Sequence, residues 1–278
     1  LDRGDELYPG ELIPRGFPEF FGEPGFFGES KPRLEGSGRL QLANWLTVPD
    51  STQAALIART VINRAWQKLF GQALCRTPKE LGRLGQSPEL PEVINGLAAR
   101  FVTHDWSVKS VVREIVLSKA YRRDSVASDQ HIERDSNNHF FARQAVRRLE
   151  YEPIANTMAW LVSGRRYDSP GARNSALPTA ADYPRHFDAA PNVELVERRT
   201  ASITATQALF LMNQPNGAHG VADRFLQRIG RDVSIEQIFF AIMQRPPTNR
   251  ELMLAGEFEQ RSDFVAALLC ANETIYLD

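Results

Sequence analysis

Arginines, amides and carboxylates that ride on otherwise apolar helical stretches are the side chains here best placed for chemistry. Arg59, Asn63, Arg64 and Gln67 lie in one stretch, and Arg59 and Asn63, four residues apart, share a helix face. Tyr121 follows, then Arg147-Arg148 ahead of Glu150 and Glu152, then Arg198-Arg199 ahead of Thr204. Guanidinium groups make forked bonds to carboxylate, sulfate or phosphate. Arg59, Asn63, Arg64, Tyr121, Arg148 and Glu152 therefore form a candidate polar cleft for an anionic ligand. The plainer alternative is favoured: Arg64 or Arg148 pairs internally with Glu152 and ties helices together.

Several reaction classes lack their signatures. No His-Glu-x-x-His, Cys-x-x-Cys or Cys-x-x-Cys-His occurs, so zincin, zinc-ribbon, dithiol and covalent-haem motifs are missing. No Gly-x-Ser-x-Gly elbow and no Walker loop is present, and Gly36-Ser37-Gly38 lacks the third glycine of a dinucleotide fingerprint. His104, His131, His139, His186 and His219 never recur at three- or four-residue spacing. No metal or cofactor site is expected in this chain. Cys75 and Cys270 stand far apart, and their pairing is open; Cys270, in an Ala-Leu-rich run, reads as a buried free thiol. Lys plus Arg is 33 against Asp plus Glu at 34, a net charge of -1. That balance gives no field for nucleic acid or an anionic membrane. No apolar run reaches the roughly 20 residues of a membrane span. Leu1, in place of Met, points to a chain that begins inside a longer polypeptide.

The elements that must position these residues are helices. Residues 1–38 differ, holding eight of the 18 glycines and five of the 17 prolines around Phe17, Phe20, Phe21, Phe26 and Phe27. This composition forbids helix and reads as an extended arm that lays aromatic rings on a folded surface. Ser37 is the expected cap of a helix carrying Leu42, Trp45 and Leu46. Asp50 and Gln53 have capping-box spacing ahead of a stripe of Ala58, Val61, Ile62, Ala65, Trp66 and Leu69, closed by Gly71. Ser87-Pro88 and Ser107 are expected to start the next two helices, and a helix over roughly 152–163 ends at Gly164. Thr204/Gln207, Ser234/Gln237 and Thr248/Glu251 are capping boxes, and Ser262 is a weaker cap. Ala218, Val221, Ala222, Phe225 and Ile229 form another stripe, closed by Gly230. No alternating run predicts a substantial sheet. The expectation is an all-α orthogonal bundle of roughly nine or ten helices over 39–278, with a possible division into lobes 39–164 and 190–278.

Taken in order, several of these segments resemble a known family. They are Ser37-Gly38-Arg39-Leu40, Leu42-Ala43-Asn44-Trp45-Leu46, Asn63-Arg64-Ala65-Trp66 and Thr77-Pro78-Lys79-Glu80-Leu81-Gly82. Ala120-Tyr121-Arg122, Arg147 to Glu152, Phe187-Asp188, Gln207 to Asn213 and Ala267 to Glu273 follow. Together they are similar to the domain-of-unknown-function family numbered 1553, found mainly in planctomycete-type bacteria. The resemblance implies a C-terminal module of a large exported protein, often with haem in an upstream cytochrome-c-like domain and none in this chain. It implies no catalytic residues. Leu90 and Gly96 stand where the family usually has His and Trp, and Ala155-Asn156 replaces a usual Arg-Asp. Three functions are therefore carried: a scaffold or docking module for upstream domains of the same polypeptide, a hydrolase or binder acting on polysaccharide, possibly sulfated, and a docking surface for an upstream haem domain.

Overall fold

Ala54, Ala58, Ile62 and Trp66 recur every four residues, so a helix through them turns one apolar face inward. The computed structural model realises that helix. It describes residues 37–80, 83–164, 183–190, 196, 199, 202–230 and 232–277. The aromatic arm expected over 1–38 lies outside them, apart from its last two residues. The fold is all-α, with twelve helices among the described residues and a two-residue pair of strands. The chain forms two compact units, residues up to Lys68 with Gln72–Val116, and Leu69–Gly71 with Leu117–Asp278.

In the first unit, α1 (Arg39–Leu46) buries Trp45. Its cap is Gly38, one residue later than expected. α2 (Thr52–Phe70) is capped by Ser51, whose hydroxyl accepts the Ala54 N–H at 3.2 Å. Asp50, the expected cap, sits instead in the turn before it with φ +59°, and Gln53 is buried. Trp66 is 5% exposed, as its stripe requires, and Gly71 ends the helix at φ +76°. α3 (Pro91–Thr103) starts three residues later than Pro88 would place it. A helix begun at Pro88 would set the ring of Pro91 against the carbonyl four residues back. α3 buries Ile94, Leu97, Ala98 and Phe101, and α4 (Val108–Leu117) buries Val111 and Ile115 behind its Ser107 cap.

The second unit is organised around α8 (Ala218–Ile229), whose Ala218, Val221, Ala222 and Phe225 are fully buried. Burying one such phenylalanine contributes about 1.5–3 kcal/mol. α8 packs against α6 (Tyr151–Ser163), α7 (Ala205–Asn213) and, most extensively, α11 (Arg261–Leu269). α9 (Ile235–Met243) packs on α11 and on α10 (Asn249–Ala255). Short helices α5 (Asp129–Arg134) and α12 (Asn272–Ile275) bury nothing, which is why no stripe announced them. Ser234 with Gln237 and Thr248 with Glu251 close reciprocal capping boxes. α11 begins after Gln260, two residues ahead of Ser262. Arg147–Arg148 (β1) pair antiparallel with Tyr276–Leu277 (β2), a ladder too short to read from alternation.

Candidate functional site

The six residues singled out from sequence are divided between the units: Arg59, Asn63 and Arg64 in the first, Tyr121, Arg148 and Glu152 in the second. On α2, Arg59 is half-buried and Arg64 exposed. Asn63 is 1% exposed and works as a latch. Its Nδ2 donates to the Cys75 carbonyl at 2.9 Å, and its Oδ1 accepts the Cys75 N–H at 2.8 Å. The Cys75 thiol in turn donates to the Gln86 carbonyl at 3.0 Å. A buried amide with both ends matched to the backbone of one residue, Cys75, fixes the turn after α2.

Tyr121 sets the edge of its ring against Phe70, 5.6 Å between centroids. Arg148 is the centre of a buried network. Its guanidinium donates to Asp188 Oδ2 at 2.7 Å and to the carbonyls of Ser202 and Leu149 at 3.2 and 3.1 Å, and it lies 5.3 Å from the Phe187 ring centre. Asp188, at φ +56°, also accepts the Ser202 N–H and hydroxyl at 2.8 Å each, and Gln207 Nε2 donates to that hydroxyl at 3.3 Å. The internal partner of Arg148 is thus Asp188, and Glu152 takes Arg199 at 2.6 Å, where sequence spacing suggested Arg148 with Glu152. Burial works against the charge of Arg199, but Glu152 and Glu150 outweigh it and hold the guanidinium above its ordinary range. Arg198 lies outside the described residues.

A third ionic cluster was not read from sequence. Arg245 donates two bonds to Glu251, at 3.0 and 2.7 Å, and two to Glu273, both at 2.7 Å, above the Phe239 ring. The Arg245 hydrogen bonds, then the Thr248 N–H, hold the Glu251 carboxyl down to about 2. Cys75 and Cys270 are both free thiols, and burial pushes the half-buried Cys270 up, toward the neutral form.

Two open concavities are lined by described residues of the second unit. One, of about 620 Å³, has Glu152, Asn156, Thr157 and Trp160 of α6 along one wall. Ala241, Ile242 and Gln244 form the other. The second, of about 450 Å³, is an apolar groove lined by Phe240, Pro246, Pro247 and Leu252, with Phe240 55% exposed.

A family model described as "Protein of unknown function (DUF1553)" matches residues 38–258. The chain belongs to the DUF1553 family. No curated protein and no solved structure matches it. Of the positions expected from sequence to depart from the family pattern, Leu90 is the backbone N-cap of α3, and Gly96 has, among the described residues, only Arg100 near the place of a Cβ, at 3.7 Å. Ala155 is 1% exposed in the core, and Asn156 lines the larger cleft.

Proposed function

We propose that this DUF1553 chain is the C-terminal docking module of a larger exported multidomain protein, and that its polar clusters hold the fold together. The observation that supports this best is the set of ion pairs made within the chain, Arg148 with Asp188, Arg199 with Glu152, and Arg245 with Glu251 and Glu273. Glu251, Glu273, Glu236 and Asp135 are all held below the usual carboxylate range, and Arg199 and Arg245 above theirs. General acid–base catalysis asks for the opposite, a group moved toward neutrality and left open to substrate. These groups are instead locked in their charged forms by partners on the same chain. The groove at Phe240 supplies the docking face. A contiguous apolar surface with two prolines at its edge suits an extended apolar segment of the upstream polypeptide.

The test is association between this chain and the rest of the polypeptide, produced separately and followed by calorimetry. Binding that weakens at least about tenfold in Phe240→Asp is the expected result. Unchanged affinity in that variant, or no association at all, overturns the docking reading.

A further inference from the structure

Glu152, Asn156 and Trp160 recur every four residues and so form one face of α6, and that face is a wall of the 620 Å³ cleft. Trp160 is 40% exposed, unusual for the largest apolar side chain on a helix whose other face fills the core. The indole is nevertheless held. Arg228 lies 5.8 Å from its ring centre, and Arg228 Nε is itself pinned to the Leu161 carbonyl at 2.8 Å.

Across the cleft stands Gln244, a non-glycine residue in the left-handed region at φ +58°. Its Nε2 donates to the Phe240 and Ala241 carbonyls at 3.3 and 3.0 Å, so the amide offers a ligand its oxygen alone. The charges around the cleft cancel: Glu150 and Glu152 stand with Arg199, which lies within 3.7 Å of Glu150, and Arg228 adds the second positive charge.

We infer that this cleft binds a neutral, polyhydroxylated ring, a sugar unit of an uncharged oligosaccharide, stacked on Trp160. An indole offers a flat apolar surface to the axial C–H face of a pyranose. A paired carboxylate at Glu152 and the Gln244 side-chain carbonyl supply the acceptors that sugar hydroxyls need. The volume falls within the range of small-ligand sites, with a mostly apolar lining and few polar groups. Charge cancellation selects against a sulfated chain, which would need a net positive cleft. The cleft shares Ala241 with the Phe240 groove, but the stacking surface at Trp160 and the carboxylate of Glu152 line the cleft alone, so either reading can fail without the other.

The experiment is a glycan array of neutral cello-, xylo-, manno- and chito-oligosaccharides, with sulfated oligosaccharides as controls. The strongest binder is then titrated while the Trp160 indole N–H resonance is followed. The expected result is binding of a neutral oligosaccharide that shifts this resonance and is insensitive to salt. Trp160→Ala should lower affinity roughly tenfold or more, and Trp160→Phe should restore most of it. Binding of sulfated glycans alone, no binding across the neutral set, or undiminished affinity in Trp160→Ala overturns the inference. If Trp160→Ala melts early, the indole resonance of the unaltered chain still decides.

Discussion

Replacing Arg148 with methionine keeps an apolar stem of similar reach and removes the guanidinium that lies over Phe187. The Arg148 side chain is 4% exposed and that of Asp188 25% exposed. Loss of the charge-assisted bond to Asp188 costs about 1.5–3 kcal/mol. The carbonyls of Ser202 and Leu149 lose their donor, and the Asp188 carboxylate keeps only the Ser202 N–H and hydroxyl. Breaking a buried pair from one side typically costs about 3–5 kcal/mol. The partial exposure of Asp188 lets water relieve some of this, which places Arg148→Met near about 3 kcal/mol. Native-state hydrogen exchange of the α6 and α8 amides measures it within the second unit, without assuming that both units unfold together. The double variant Arg148→Met with Asp188→Asn should lose less than the sum of the single losses, because each single substitution strands the partner's charge and the double variant strands none. A single-variant loss under about 1 kcal/mol, or strict additivity, would refute the structural role of this network.

Three further outcomes follow from the same geometry. Trp66→Ala should lower stability by about 3–5 kcal/mol, read by urea unfolding of the first unit's helices; an unchanged midpoint contradicts the phase of α2. A Cβ at Gly220 would sit 1.8 Å from the Pro215 carbonyl oxygen, so Gly220→Ala should displace the start of α8 and lower the melting temperature by several degrees, whereas Gly96→Ala, which meets only Arg100, should be nearly silent. A carboxyl depressed by folding contributes stability above its unfolded value, about 4.3 for glutamate, and loses it as pH falls through its folded value. Glu251, held to about 2 by Arg245, should therefore make the melting temperature fall between about pH 4.5 and 2. Arg245→Met should flatten that fall, and parallel curves for the two proteins would count against the clamp.

The helices were legible where burial repeats at helical spacing. Ile62 and Trp66 on α2, and Val221 and Phe225 on α8, needed nothing beyond period and a terminal glycine. Helix starts were legible only where one cap candidate stood alone, as at Ser234 and Thr248. Where two competed, the choice fell to steric detail that a spacing rule does not see: Ser51 over Asp50, Pro91 over Pro88. The site was harder. Arg148 was identifiable as an unusual polar residue, but its partners Asp188 and Ser202 lie 40 and 54 residues away, and contacts at that separation leave no periodic trace. Trp160 was passed over because it sits on a helix whose neighbours Met158 and Leu161 are core residues. The one available signal was its four-residue spacing from Glu152 and Asn156, a polar face with an aromatic at its end.

The docking account is tested most directly by hydrogen exchange across residues 235–255, compared between this chain alone and the same chain within the longer polypeptide. The account predicts slower exchange in α9 and α10 around Phe240 and Leu252 in the longer protein, with the Arg148 network unchanged. Equal exchange across 235–255 in the two proteins would contradict it.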